Sequence, residues 1–273
     1  MNVFVCADLE GIGGVVSWEQ TLPDRAGYAQ ACAWMTAEVS AACEVALERG
    51  ADRVVVADSH LAGQNLDLDR LPERVEVVRA GPRPLGMVQG IDADDFDVVL
   101  CIGFHTGAHE VGILNHTNNG AGFHEVRLDG VPVDELDVVV RVAGAYGAPI
   151  GLVTGDQAIC ESASSRYGHV EVAAVKEGFG RMAGVCATPA ASVELVRHAA
   201  ARAIDRADEL PVVESGAVEL EVEFSWHHPA ECLDLLPGFE RVDARSVRVQ
   251  AADITEVTRI LGFLSGYRLV PYP

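Results

Sequence analysis

Val3-Phe4-Val5-Cys6-Ala7-Asp8-Leu9-Glu10 is a short apolar run that ends on two carboxylates. Two further runs have the same form: Val54-Val55-Val56-Ala57 leads into Asp58-Ser59-His60, and Val98-Val99-Leu100-Cys101-Ile102-Gly103 leads through Phe104 into His105. Runs this short, continuous and rich in valine predict strands buried on both faces, as in a parallel sheet. Ligands of open parallel α/β sheets bind beside the carboxyl ends of the strands, so the three polar tips can converge on one crevice. Asp, Glu and His gathered there point to a dinuclear metal site.

Helical patterns separate the strands. Residues 25–49 place Ala, Met, Cys, Val and Leu at helical spacing and stop at Gly50. Residues 149–153 read as a fourth strand, with Asp156 placed to cap the helix that follows. A strand and turn region fills 170–186, and Thr188-Pro189 opens a helix running to about Leu210. Residues 217–224 alternate Val218, Leu220, Val222 and Phe224 with Glu219, Glu221 and Glu223, the pattern of a strand with one wet face, and 245–250 repeat it. A capping box, Asp253-Ile254-Thr255-Glu256, starts the final helix. The fold class is α/β. A three-layer α/β/α unit with a mostly parallel central sheet is expected over 1–187, and a smaller C-terminal α/β subdomain over 188–273, packed with it as one continuous unit.

A chain of 273 residues that is 49% hydrophobic can bury a large core. Its net charge of -21 lacks the basic face that displaces counterions from phosphates, so nucleic acid is excluded as a partner. The first residues lack the basic flank of a signal peptide, and the uncharged stretch 142–155 falls short of the ~18 residues of a membrane span. The reading is a cytoplasmic protein with no membrane partner. Seven cysteines with no Cys-x-x-Cys pair fit reduced thiols, and the apolar context of Cys101 makes it core rather than nucleophile. Gly11-Ile12-Gly13-Gly14-Val15-Val16 begins like a dinucleotide fingerprint, but Val16 replaces the third glycine and Glu10 would repel a pyrophosphate. No Gly-x-Ser-x-Gly elbow or Walker-type lysine is present.

Asp8 and Glu10, at i and i+2, can chelate from one face of a strand or across the glycine turn that follows. An aspartate can bridge two ions while His60, His105 and a further carboxylate complete the shells, a donor set that suits Zn²⁺. Two ions ~3.5–4 Å apart would bring the pKa of a shared water towards ~7 and polarise an attacked carbonyl.

An ordered series then carries a resemblance along nearly the whole chain: Asp8-Leu9-Glu10-Gly11-Ile12, Asp58-Ser59-His60, Gly81 with Pro84, Leu85 and Met87, Gly103-Phe104-His105, Asn115-His116-Thr117 and Pro132-Val133-Asp134-Glu135. On these residues the chain resembles the D-aminopeptidase family of zinc metallopeptidases. The resemblance implies that Asp8, Glu10, His60, His105 and Glu135 bind two zinc ions, with Asp8 as the bridge, and that His116 is the catalytic histidine. His109 and His124 lie in the same glycine-rich region and compete for that role. It also implies a short peptide or small amide substrate with an N-terminal D-residue, and a ring-shaped homo-oligomer.

Where the family pattern reads Gly-Glu-x-Gly-x-Asn, this chain has Asp134-Glu135-Leu136-Asp137-Val138-Val139, so Val139 stands in place of asparagine. Loss of that amide removes a donor and an acceptor from the substrate's surroundings. Two alternatives therefore stand beside the peptidase: a dinuclear amidase or esterase acting on a non-peptide, and a non-catalytic peptide-binding protein.

Overall fold

The computed structural model describes residues 1–214 and 216–266. Strand β1 (Asn2–Ala7) is followed by helix α1 (Tyr28–Glu48), β2 (Arg53–Asp58), β3 (Val75–Val78) and β4 (Val98–Phe104). Then come β5 (Phe123–Leu128), β6 (Val131–Pro132), α2 (Glu135–Ala145), β7 (Ile150–Asp156), α3 (Gln157–Arg166), β8 (Glu171–Gly180) and β9 (Ala183–Cys186). The remainder is α4 (Pro189–Asp205), β10 (Val218–Phe224), α5 (His228–Leu233), β11 (Phe239–Arg241), β12 (Ser246–Ala251) and α6 (Ile254–Gly266). One sheet runs β3-β2-β1-β4-β7-β8-β9, parallel except for the antiparallel edge strand β9. A second, antiparallel sheet runs β11-β12-β10-β5-β6.

The period of two in β1 sends Val3, Val5 and Ala7 to one face, where α1 and α4 cover them, and Phe4 and Cys6 to the other, where α2 and the second sheet contribute to the core. Helix α1 begins three residues later than the periodicity suggests, and Gly50 beyond its end adopts a left-handed φ of +81°. Asp156 caps α3 by accepting from Ile159 N at 3.0 Å. Helix α4 stops at Asp205, and the expected extension is a 3-10 turn over Ala207–Glu209. The alternation in β10 holds: Val218, Leu220, Val222 and Phe224 are buried, and Glu221 and Glu223 pair outside with Arg127 and Arg245.

The division expected at 187/188 does not follow the sheets. Strand β10 pairs with β5 as well as β12, so residues 123–132 belong to the second sheet. Helix α4, from beyond the expected boundary, packs on α1 and the first sheet. Burial overrides chain order here: β5 finds its apolar partner in β10, some 90 residues on, and α4 has no counterpart face in the second sheet.

Because β1 lies between β2 and β4, the three polar tips are neighbours. Ser59 N donates to Ala7 O at 2.8 Å, Asp8 N to Ile102 O at 2.8 Å and Gly11 N to Gly103 O at 2.7 Å, which fastens the tips together. Beneath them Cys6 and Cys101 are register partners, and burial pushes the Cys6 thiol up to about 12 and the Cys101 thiol well above its usual value. A Cβ on Gly11 would sit 2.0 Å from Phe104 O, a backbone atom that cannot yield. Gly11→Ala should therefore destabilise the fold by at least ~3 kcal/mol, read as a fall in Tm of roughly 6–12 °C or more.

Candidate metal centre

Asp8, Glu10, His60, His105, Glu135 and His116 meet at the carboxyl ends of β1, β2 and β4, and all but His105 line a cleft of about 1730 Å³ that also reaches the second sheet. Asp8 lies between two imidazoles: Oδ1 is 3.4 Å from His60 Nδ1, and Oδ2 is 3.5 Å from His105 Nε2. Each of its oxygens thus faces a different histidine, the disposition of a bridging carboxylate. Glu10 Oε2 approaches His60 Nδ1 to 2.8 Å, without hydrogen-bond geometry. Glu135 is the first residue of α2, behind a capping box in which Asp134 and Asp137 exchange bonds with each other's backbone N–H. Its Oε1 accepts from Asn118 N at 2.7 Å and lies 3.5 Å from His105 Nε2 and 3.8 Å from His116 Nε2. Arg166 grips Asp134 through two nitrogens, at 2.6 and 3.2 Å, and so fixes the start of that helix from α3.

The three imidazoles share one device. His60 Nε2 faces Thr21 O at 2.7 Å, His105 Nδ1 faces Thr106 O at 2.9 Å and His116 Nδ1 faces Leu114 O at 2.8 Å. A carbonyl can only accept, so each of these nitrogens carries a hydrogen, and the opposite nitrogen turns its lone pair towards the carboxylates. The ring of His116 stacks on His105 at 4.2 Å and 7°, and Trp18 meets its edge at 5.4 Å.

Glu10 Oε2 and His105 Nε2 are buried without a hydrogen-bond partner. Two cation-ready groups form, Asp8 with Glu10 and His105, and Glu135 with His105 and His116, the ligand atoms of each lying within 4.8 Å of one another. Orphaned buried donors of this kind fit a divalent ion.

In the metal-free chain protons serve instead. Burial pushes the His60 and His105 imidazoles down, but the facing carboxylates, Glu10 and Asp8 for one and Glu135 and Asp8 for the other, carry both well above the usual range. Burial pushes the Asp8 and Glu135 carboxyls up, but His105 and His60 hold the first, and His105 and His116 the second, below their usual values.

Asp58, one of the residues at the polar tips, does not join the cluster. Its carboxylate accepts from Asn65 N, Asn65 Nδ2 and Leu66 N at 2.6, 2.6 and 2.9 Å, and so anchors the loop that carries His60. His109 and His124 are exposed and outside both groups. Neither Thr21 nor Trp18 sits in a motif that would have pointed to it. Asn118 follows Asn115-His116-Thr117 directly, and that adjacency is the signal that could have found it.

The raised histidines stabilise the metal-free fold fully below their unfolded pKa, a contribution lost as pH rises through the folded value. The lowered carboxyls contribute above their unfolded pKa and lose that contribution as pH falls through the folded one. Zinc uptake at pH 7 should therefore release about two protons per chain, measured by calorimetry in buffers of different ionisation enthalpy. The Tm of the zinc-free protein should fall as pH rises above neutrality, while that of the zinc-loaded protein holds.

Residues 1–263 match the family model for D-aminopeptidase, peptidase family M55. The chain is 30% identical over 258 residues to the D-aminopeptidase of Bacillus subtilis (strain 168), spanning 94% of this chain and 93% of that one. The solved structure of the Zn-dependent D-aminopeptidase DppA from Bacillus subtilis, a self-compartmentalizing protease, superposes with a TM-score of 0.92 at 28% identity, covering 99% of this chain and 100% of that chain. Sequence, fold and the donor set at the strand tips agree: this chain belongs to the D-aminopeptidase family.

Proposed function

We propose that this protein is a zinc-dependent aminopeptidase that removes N-terminal D-residues from short peptides. In this reading Asp8, Glu10, His60, His105 and Glu135 would hold two ions, with Asp8 shared between them. The observation that carries the reading is the set of imidazoles pinned on backbone carbonyls, which aims three lone pairs at three buried carboxylates. Zinc bound there supplies a water acidified towards ~7 and polarisation of the scissile carbonyl.

The chain's own residues do the rest. His116 keeps its Nδ1–H on Leu114 O, so Nε2 is free to accept a proton and return it to the leaving amine. Its side chain is 12% exposed and faces the cleft, whereas that of His105 behind it is 2% exposed, and this access supports a proton-carrying role for His116. Stacking on His105 and the edge of Trp18 fix the plane of the ring, so the transfer needs no search over orientations. Buried neighbours exclude bulk water from that side.

A second reading is favoured by one observation. Glu135, Val138, Val139 and Val142 share a face of α2 and line the cleft, so beyond the carboxylate the wall is apolar, with Val139 where the family pattern has asparagine. An amide or ester carrying an apolar group suits that wall.

Assembly into a closed homo-oligomer is proposed too. Phe179, Met182 and Val185 on the β8–β9 edge are 78%, 57% and 54% exposed, and Val111 is 83% exposed. Apolar side chains so bare on a sheet edge suit a subunit contact.

His116→Ala should lower kcat ~10²–10⁴-fold while keeping the zinc content of the wild type. A fall in bound zinc would instead make His116 a ligand. D-Ala p-nitroanilide should be hydrolysed faster than its L counterpart, and activity should vanish with a chelator and return with zinc. Turnover of apolar esters with neither anilide cleaved would select the second reading. Phe179→Glu should convert the assembly to smaller species, seen by light scattering at micromolar concentration.

A further inference from the structure

The catalytic reading leaves one buried cation unused. Lys176, in β8, is 4% exposed, and its ammonium donates to Glu10 O, to Ile12 O at 3.0 Å and to Val15 O at 2.5 Å. An ammonium has three donors, and here each has one acceptor on the same loop. That loop leaves β1 and presents Asp8 and Glu10.

The opposite polarity is met by Glu38 of α1. Its Oε1 accepts from Gly13 N at 2.9 Å and from Ser192 Oγ, and it is 1% exposed. The loop is thus clamped by a buried cation on its carbonyls and by a buried carboxyl on its N–H. Burying an ammonium is costly unless it is fully hydrogen-bonded, and removing it strands three carbonyls. A loop needed only as a connection would be served as well by a backbone turn.

We infer that Lys176 is a positioning residue of the metal centre: by holding the Glu10 main chain it sets where the Glu10 carboxylate stands, and with it the affinity for zinc. The inference rests on the reading of Glu10 as a ligand. It gives β8 a role in the site through the Glu10 main chain.

The test is a double-mutant cycle read as zinc affinity, by competition with a chromophoric chelator, on the full-length protein in its native assembly. Lys176→Met should raise the zinc dissociation constant ~10-fold or more, the range seen when groups supporting a ligand are removed. In a Glu10→Ala background the same substitution should change it less than about 3-fold, because the effect travels through Glu10. A purely structural lysine would lower Tm and leave zinc affinity unchanged, or would cost as much in both backgrounds, and either result overturns the inference. Glu10→Ala binding zinc like wild type would overturn the ligand reading itself, a separate failure. Should Lys176→Met not fold, Glu38→Ala removes the acceptor that holds Gly13 N and loosens the same loop: coupling of its zinc affinity to Glu10→Ala supports the clamp, and additivity refutes it.

Discussion

Three carboxylates buried at one point repel one another, and the rest of this molecule is arranged around that repulsion. Asp8, Glu10 and Glu135 are each less than a tenth exposed and converge from one strand tip and a helix start. Left unpaired they would protonate or force the site open. Positive charge has to sit among them, whether as imidazolium protons in the metal-free chain or as a bound cation. Each second layer of the site serves that requirement. Backbone carbonyls orient the histidines, Arg166 and the capping box hold the start of α2, and Asn65 with Asp58 stiffens the turn that brings His60 in.

Much of this was legible in the sequence because the informative features are local. Strands β1, β2 and β4 read directly as valine-rich runs, and the polar residue after each run marks its tip. The sheet order β2-β1-β4 makes neighbours of those tips, which is what a parallel arrangement requires of ligands carried on three strands. Glu135 has no such signature. It stands on a helix N-terminus in an acidic run, and only the family resemblance singled it out.

What stayed hidden was long-range. Arg127 and Glu221 are paired across the second sheet yet lie 94 residues apart, and nothing near either announces the other. Lys176 stands in no motif, and a sequence does not show that three carbonyls some 160 residues earlier surround it. Asp58 illustrates the converse. A carboxylate at a strand tip has the right address for a ligand, but backbone N–H groups claimed it first.

The paired thiols beneath the tips carry a consequence for metal selection. Cys6 lies two residues before Asp8 and Cys101 four before His105, close enough in sequence for a shift of register to offer sulfur to the site. Burial keeps both as neutral thiols at any ordinary pH, and only the thiolate binds metal well. The centre therefore remains an oxygen and nitrogen site, giving soft cations such as cuprous ion no foothold and leaving hard and borderline divalent ions to compete by geometry.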